Sequence, residues 1–147
     1  MKTIFGGNIL NVSQGIICHQ TNCKGVMGSG LALSIKKQYP KAYSDYMDRF
    51  ATFGLQLGDV VMSKQLLGLY VANLCGQNEY GRKLNKVYTN YESLKVCFQQ
   101  VSDFAKMKHT IYIPYGIGCG LAGGDWNKVE SMLESILENN KAIIIKL

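Results

Sequence analysis

Gly15-Ile16-Ile17-Cys18-His19-Gln20-Thr21-Asn22-Cys23-Lys24-Gly25-Val26-Met27-Gly28-Ser29-Gly30-Leu31-Ala32 is the stretch on which the fold turns. Gly15 to Gln20 reads as a buried strand that becomes polar at its C-terminal end, since a short unbroken apolar run suits a strand covered on both faces. Leu31 and Ala32, with Ile35, begin a short helix. Between strand and helix, Gly25, Gly28 and Gly30 let the main chain take positive φ and pass close to a ligand. The helix start that follows presents unpaired N–H groups and a partial positive charge, which favour phosphate. The same glycines also suit a tight turn that needs them for geometry alone. Asn22 and His19 just upstream weigh the reading toward a ligand site.

Outward from that unit, strand and helix patterns alternate. Lys2 to Phe5 is a short strand ended by Gly6-Gly7. The first helix stops before Pro40, because the residue preceding a proline disfavours the helical region. Pro40 opens a second helix, with Tyr43, Tyr46, Met47 and Phe50 at i, i+3, i+4, i+7. Asp59 to Ser63 and Leu69 to Leu74 are strands joined near Gly68. Thr89 or Asn90 caps a helix that buries Tyr91, Leu94, Phe98, Val101 and Ala105. Thr110 to Pro114 is a β-branched strand. Asp125 caps or opens the last helix, with Trp126, Val129, Met132, Leu133, Ile136 and Leu137 on one face, and Lys141 to Lys146 is a final buried strand. About six strands interleaved with four helices predict one layered α/β domain over residues 1–147, with helices on both faces of the sheet. In such sheets ligands sit beyond the carboxyl ends of the strands.

Composition narrows the function classes. The 147 residues are 47% hydrophobic and 18% charged, which excludes a disordered chain. No apolar run approaches the roughly 20 residues that a bilayer needs. Met1 to Phe5 has no secretory character, because Gly6, Gly7 and Asn8 interrupt it. A soluble, cytoplasmic domain with no membrane partner is expected. The net charge of +6 fits either ordinary solubility or attraction to anions. Lys36-Lys37 and Arg82-Lys83-Lys86 are the densest clusters, and both are too short for a nucleic-acid tail. Cys18, Cys23, Cys75, Cys97 and Cys119 form an odd set without C-x-x-C spacing, so free thiols are expected. Cys18, His19 and Cys23 have the wrong spacing for a zinc ribbon or finger, and no metal is expected.

A second glycine-rich loop, Tyr115-Gly116-Ile117-Gly118-Cys119-Gly120-Leu121-Ala122-Gly123-Gly124-Asp125-Trp126, again joins a buried strand to a helix. Gly118, Gly120 and Gly123 spell G-x-G-x-x-G. The dinucleotide fingerprint also requires a following βαβ unit with an acidic residue about 20 positions on. Here one more strand follows, closing on Ile145-Lys146-Leu147 without a carboxylate, so that reading is rejected. Neither loop fits G-x-x-x-x-G-K-[ST], which excludes a P-loop NTPase. Two glycine loops from separate strands would instead clamp a diphosphate from both sides.

Asn22-Cys23-Lys24-Gly25-Val26-Met27-Gly28-Ser29-Gly30-Leu31-Ala32, Tyr115 to Trp126, and the framework from Gly7-Asn8-Ile9-Leu10 to the final strand together resemble the macro domain family. The resemblance implies a three-layer α/β/α sandwich with a mixed central sheet and an ADP-ribose cleft at its top. It further implies that Gly25, Val26, Met27, Gly28, Ser29, Gly30, Leu31 and Ala32 face Gly116, Ile117, Gly118, Cys119, Gly120 and Leu121 across the diphosphate and distal ribose. Asn22 would reach the distal ribose hydroxyls, and Asn8 with Ile9 would stand at the adenine, where the family usually carries an Asp. An Asn oxygen still accepts from the 6-amino group, without charge assistance. The branch that cleaves ADP-ribosyl-glutamate or ADP-ribosyl-thymidine carries a lysine after the strand matching Leu69 to Leu74. Gln77 stands at the nearest position here, and Lys83 or Lys86 would substitute only if that loop folds back.

The ending Gly123-Gly124-Asp125-Trp126, with His19 shortly before Asn22, is similar to the branch that removes the phosphate from ADP-ribose 1''-phosphate. On that resemblance His19 and Asp125 are the catalytic candidates. A carboxylate at a helix start orients or deprotonates water, and an imidazole titrating near neutrality serves as acid or base. Asp125 is equally readable as an N-cap, and His19 as a hydrogen-bonded strand-end histidine. Cys23 and Cys119 are either thiolate nucleophiles or small filler beside the loops. Tyr115, Tyr88 and Trp126 are candidates to stack on adenine or ribose, with core packing the better assignment for Trp126. The expectation is an ADP-ribose 1''-phosphate phosphatase that needs no cofactor. The alternatives are an O-acyl-ADP-ribose deacylase or ADP-ribosyl-ester hydrolase, and a non-catalytic module that reads ADP-ribose. The partner is then ADP-ribose or a derivative of it, carried in some cases on protein or nucleic acid.

Overall fold

In the computed structural model, which describes residues 1–147, the elements follow in the order β1 (Lys2–Phe5), a 3-10 turn (Ile9–Asn11), β2 (Gly15–Asn22), α1 (Gly30–Gln38), α2 (Pro40–Phe53), β3 (Val60–Leu66), β4 (Leu69–Gln77), α3 (Tyr91–Ala105), β5 (Ile111–Pro114), α4 (Trp126–Ile136) and β6 (Ala142–Lys146). The sheet runs β1-β6-β5-β2-β4-β3. All neighbours are parallel except β3, which pairs antiparallel with β4 as an edge strand. Parallel strands need cover on both faces. Accordingly β2 is buried along its whole length except at half-buried Gln20.

Side-chain alternation on β2 and β4 builds the layers. Ile16, Cys18, Ala72 and Leu74 face α3 and α4, where Leu94, Phe98, Val101, Val129 and Leu133 complete the larger core. Ile17 and Val71 face the opposite way, against Ile35 of α1 and Ala42 of α2. Each fully buried Ile, Leu or Phe stabilises by roughly 1.5–3 kcal/mol, so the two cores hold the helices to the sheet. The result is a three-layer α/β/α sandwich with a mixed sheet. No helix is long and apolar enough to cross a membrane.

Several elements differ from the sequence reading in extent. β2 continues two residues past Gln20 to Asn22, and β4 passes Leu74 to reach Gln77, because the two strands stay paired through an irregularity between Thr21 and Asn22. Asn8 caps the unanticipated 3-10 turn by accepting from the Leu10 N–H at 2.9 Å. On α2 only Ala42 and Tyr46 are buried. Tyr43, Met47 and Phe50 are half-buried around Cys23 and Met27, so this helix also roofs the first glycine loop. Asn90, not Thr89, caps α3, accepting from the Ser93 N–H.

Candidate functional site

The carboxyl end of β2 delivers the chain into a loop organised by one side chain. Asn22 Oδ1 accepts from the N–H groups of Lys24 (2.9 Å) and Val26 (3.3 Å), while its Nδ2 donates to the Val26 carbonyl at 2.8 Å. The buried Tyr46 hydroxyl donates to the Asn22 carbonyl at 2.5 Å and lies 3.1 Å from Asn22 Oδ1. At Gly25, φ is +76° and a Cβ would stand 2.9 Å from the Phe50 ring, so only glycine lets α2 close over the turn. Ser29 is the α1 N-cap, yet its side chain makes no cap bond. The N–H groups of Gly28, Ser29, Gly30, Leu31 and Ala32 make no hydrogen bond within the protein.

The second loop is folded by its own main chain. Cys119 N–H donates to Gly116 O (2.8 Å), Gly123 N–H to Gly120 O (3.0 Å) and Gly124 N–H to Gly118 O (2.9 Å). At Gly118, φ is +74° and a Cβ would meet Gln20 Oε1 and Thr89 Oγ1, both at 3.0 Å. The N–H groups of Gly116, Gly118, Gly120 and Leu121 have no acceptor in the protein. Residues 78–88 fold back against both loops. Cys23 N–H donates to Asn78 O, Tyr88 N–H and Thr89 N–H donate to Ala122 O, and a Cβ on Gly123 would stand 2.6 Å from Lys86 O.

Between the loops lies a cavity of about 430 Å³. Its wall combines residues 19–22, Val26, residues 28–32, Gln77, residues 80–82, residues 114–118 and residues 120–122. No carboxylate and no lysine line it. The one side chain with a permanent charge is Arg82, which is exposed and has no ion-pair partner. Two rows of open N–H groups and a guanidinium, in a cavity free of carboxylates, are a donor arrangement that suits an anion.

His19 forms part of the wall while only 1% exposed. Its Nε2 lies 2.5 Å from Asn73 Oδ1 on the neighbouring strand, and Nδ1 has no partner. Burial pushes the imidazole down to about 4, against a smaller opposing effect of the Asn73 bond. His19 is therefore neutral at neutral pH, and the titration near neutrality expected from the sequence does not occur. Asp125 is the N-cap of α4. Its Oδ1 accepts from the Asn127 N–H at 3.0 Å, its own N–H donates to the Tyr91 hydroxyl, and it lies outside the cavity wall. The cavity thus contains one of the two catalytic candidates.

Of the other candidates, Asn22, Val26, Gly28, Ser29, Gly30, Leu31, Ala32, Gly116, Ile117, Gly118, Gly120 and Leu121 line the cavity. Asn8, Ile9, Gly25, Met27 and Cys119 do not: Asn8 caps the 3-10 turn, Ile9 and Met27 are buried in packing clusters, and Gly25 lies under Phe50. Cys119 Sγ donates to Ile117 O at 3.3 Å. Burial, with the Asp125 charge adding to it, pushes that thiol up to about 11, and burial raises Cys23 as well. Neither is a thiolate at neutral pH. All five cysteines are free, and no three His, Cys, Asp or Glu side chains group where they would hold a metal ion.

Lys83 is exposed, and Lys86 lies 3.7 Å from Glu79 and over the Tyr88 ring; neither lines the cavity. Gln77 does, joined to Gln20, whose Nε2 donates to Gln77 Oε1 (2.9 Å) and to Thr89 Oγ1 (3.0 Å). Gln20, Thr21, Tyr80 and Arg82 are wall residues that the sequence reading missed. The polar end of an otherwise buried strand was the available signal for Gln20, and the cationic cluster for Arg82. Tyr115 lines the cavity with its ring 4.8 Å from that of Trp126, which packs on the larger core.

A family model described as Macro domain matches residues 18–133. An uncharacterized 17.5 kDa protein from the tk-vs intergenic region of Enterobacteria phage T4 is 29% identical, over 88% of this chain and 84% of its own. The ADP-ribose 1''-phosphate phosphatase of Saccharomyces cerevisiae is 27% identical over 90% of each chain. The DNA ADP-ribosyl glycohydrolase of Mycobacterium tuberculosis is 26% identical over 94% of this chain, which spans only 39% of that protein. Among solved structures, a protein of unknown function from Bacteroides thetaiotaomicron superposes with a TM-score of 0.88 at 24% identity, covering 100% of this chain and 99% of that one. Thermosipho africanus DarTG in complex with ADP-ribose gives 0.79 at 16% identity, covering 99% of this chain and 42% of that one.

Proposed function

The chain belongs to the macro domain family, and from that premise we propose that its cavity binds ADP-ribose and hydrolyses a derivative of the terminal ribose, the 1''-phosphate monoester. One observation carries the binding half. The open N–H groups of Gly28 to Ala32 and those of Gly116, Gly118, Gly120 and Leu121 border one cavity from two sides, with Arg82 as its only permanent charge. A pyrophosphate is the anion that such a double row suits, because charged acceptors make hydrogen bonds about twice as strong as neutral ones. The volume falls within the roughly 300–1,000 Å³ of small-molecule sites. The hydrolytic half draws support from the yeast and mycobacterial relatives, both named as hydrolases of ADP-ribose derivatives.

In this reading the diphosphate lies on the two loops, and Tyr115 and Tyr80 flank the sugar and base. Asp125, three residues beyond the wall residue Ala122, orients or deprotonates the attacking water. The water oxygen bonds to phosphorus as the bond to the ribose oxygen breaks, and that oxygen leaves with a proton. His19, neutral and donating through Nε2, contributes an acceptor and not a proton source. Arg82 screens the charge of the phosphates.

The test sets ADP-ribose 1''-phosphate, O-acetyl-ADP-ribose, an ADP-ribosylated protein and ADP-ribosylated DNA side by side. Phosphate release from the first, abolished in Asp125→Ala with ADP-ribose affinity retained, is the expected result. Turnover of an ester or of a nucleic-acid adduct instead would move the substrate and keep the site. A second reading, a module that binds ADP-ribose and hydrolyses nothing, is favoured by the absence of carboxylate and lysine from the wall. Calorimetric binding with no turnover of any of the four would establish it.

A further inference from the structure

Asn73 lies on β4 directly opposite His19 on β2, and neither side chain is more than 1% exposed. The orientation of the Asn73 amide is fixed by its nitrogen, which donates to the carbonyls of Ala42 (3.3 Å) and Val61 (3.1 Å). Its oxygen therefore faces His19 Nε2, at 2.5 Å. An amide oxygen only accepts, so Nε2 carries the hydrogen. A neutral imidazole has one N–H, which leaves Nδ1 as a bare lone pair. That atom is buried and has no partner in the protein, on a residue of the cavity wall. Buried acceptors without a donor are rare and costly.

The adjacent residue repeats the pattern. Gln20 commits its nitrogen to Gln77 and Thr89, and its Oε1 is likewise buried without a donor. Two neighbouring wall residues thus supply acceptors, whereas the loops supply donors.

We propose that Asn73 is a positioning residue for ligand recognition: it holds His19 in the Nε2–H form, so that Nδ1 is an obligate acceptor for a hydroxyl or N–H of the bound molecule. This rests on the ADP-ribose reading above for the ligand, and on the hydrogen-bond geometry alone for the tautomer. Burial reinforces the assignment by keeping the ring neutral.

The experiment has two readouts. Nitrogen-detected NMR of the ligand-free chain labelled in His19 and His109, with His109→Gln to assign them, reports which ring nitrogen of His19 is protonated. A pyrrole-like Nε2 and a pyridine-like Nδ1 are expected. Asn73→Asp presents a carboxylate to Nε2, draws a second proton onto the ring and turns Nδ1 into a donor, so the spectrum becomes that of an imidazolium. His19→Gln keeps an N–H for Asn73 and removes the acceptor from the place of Nδ1, since its amide oxygen sits at the ε position of the side chain. Both variants are expected to bind ADP-ribose about tenfold or more weakly by calorimetry, as an unmet buried donor on the ligand requires. Where Asn73→Asp fails to fold, the wild-type spectrum and His19→Gln decide the matter. An Nδ1–H tautomer or an imidazolium in wild type, or His19→Gln binding as wild type does, would overturn the proposal. A wild-type chain that ignores ADP-ribose would overturn the preceding reading, and the tautomer would still judge Asn73.

Discussion

Gly120→Ala separates folding from ligand binding more cleanly than any other substitution in the loops. Gly120 does not occupy the left-handed region, and a Cβ built on it meets nothing within 4 Å. The fold therefore tolerates alanine, with a change within about 0.5 kcal/mol as for ordinary surface positions. For a chain of this size that is a shift in Tm of about 2 °C at most. Yet Gly120 lines the cavity, and the open space around it is where an anion would approach its free N–H. A methyl group there lengthens or breaks at least one charge-assisted hydrogen bond, about 1.5–3 kcal/mol, or roughly 10- to 150-fold in Kd. Gly118→Ala is the contrasting case. Its φ of +74° and two contacts at 3.0 Å predict strain of about 1–2 kcal/mol and a visibly lower Tm. Thermal melts and ADP-ribose calorimetry on both variants read the two effects separately. Wild-type affinity in Gly120→Ala would refute the claim that this loop's amides hold the anion.

The remaining predictions address the charged groups. Arg82→Ala should weaken ADP-ribose binding severalfold and flatten its dependence on salt, because the only permanent charge of the wall is gone; unchanged salt dependence would contradict this. Asp125→Ala removes the α4 cap and should cost about 1 kcal/mol, read as a fall in Tm of a few degrees. Stability should fall on acidification through His19. Its folded-state pKa, pushed down to about 4, lies below the unfolded value of 6.5, so the unfolded chain binds more protons between these pH values. The contribution is whole above pH 6.5 and lost progressively toward pH 4, up to about 3 kcal/mol. In urea titrations His19→Gln should shrink that loss; an unaltered pH profile would exclude His19 as its source. Cys119→Ser should retain turnover, since a thiol pushed up to about 11 is no nucleophile at neutral pH; lost turnover with an intact fold would reopen covalent catalysis.

What the sequence discloses about this molecule is what local chemistry determines. The apolar run Ile16 to Cys18, the glycines after Asn22 and the β-branched stretch Thr110 to Pro114 are local signals, and they identify strands, helix starts and both loops. Strand order and register are not local. Nothing in the vicinity of His19 announces that Asn73, 54 residues away, stands opposite it, and the depressed pKa follows from that burial. Arg82 stood out as charge, but its position on the wall depends on residues 78–88 folding against Ala122 and Cys23. Of the two readings that the sequence allowed for Asp125, the structure displays the N-cap, with its bond to Asn127, and sets the residue outside the cavity wall.

The central claim is that the two loops grip one pyrophosphate, and an amide-detected NMR titration with ADP-ribose tests it most directly. The N–H signals of Gly28, Ser29 and Gly30 should move together with those of Gly116, Gly118 and Gly120, all with a single Kd. Movement of one group without the other, or of neither, would contradict the account.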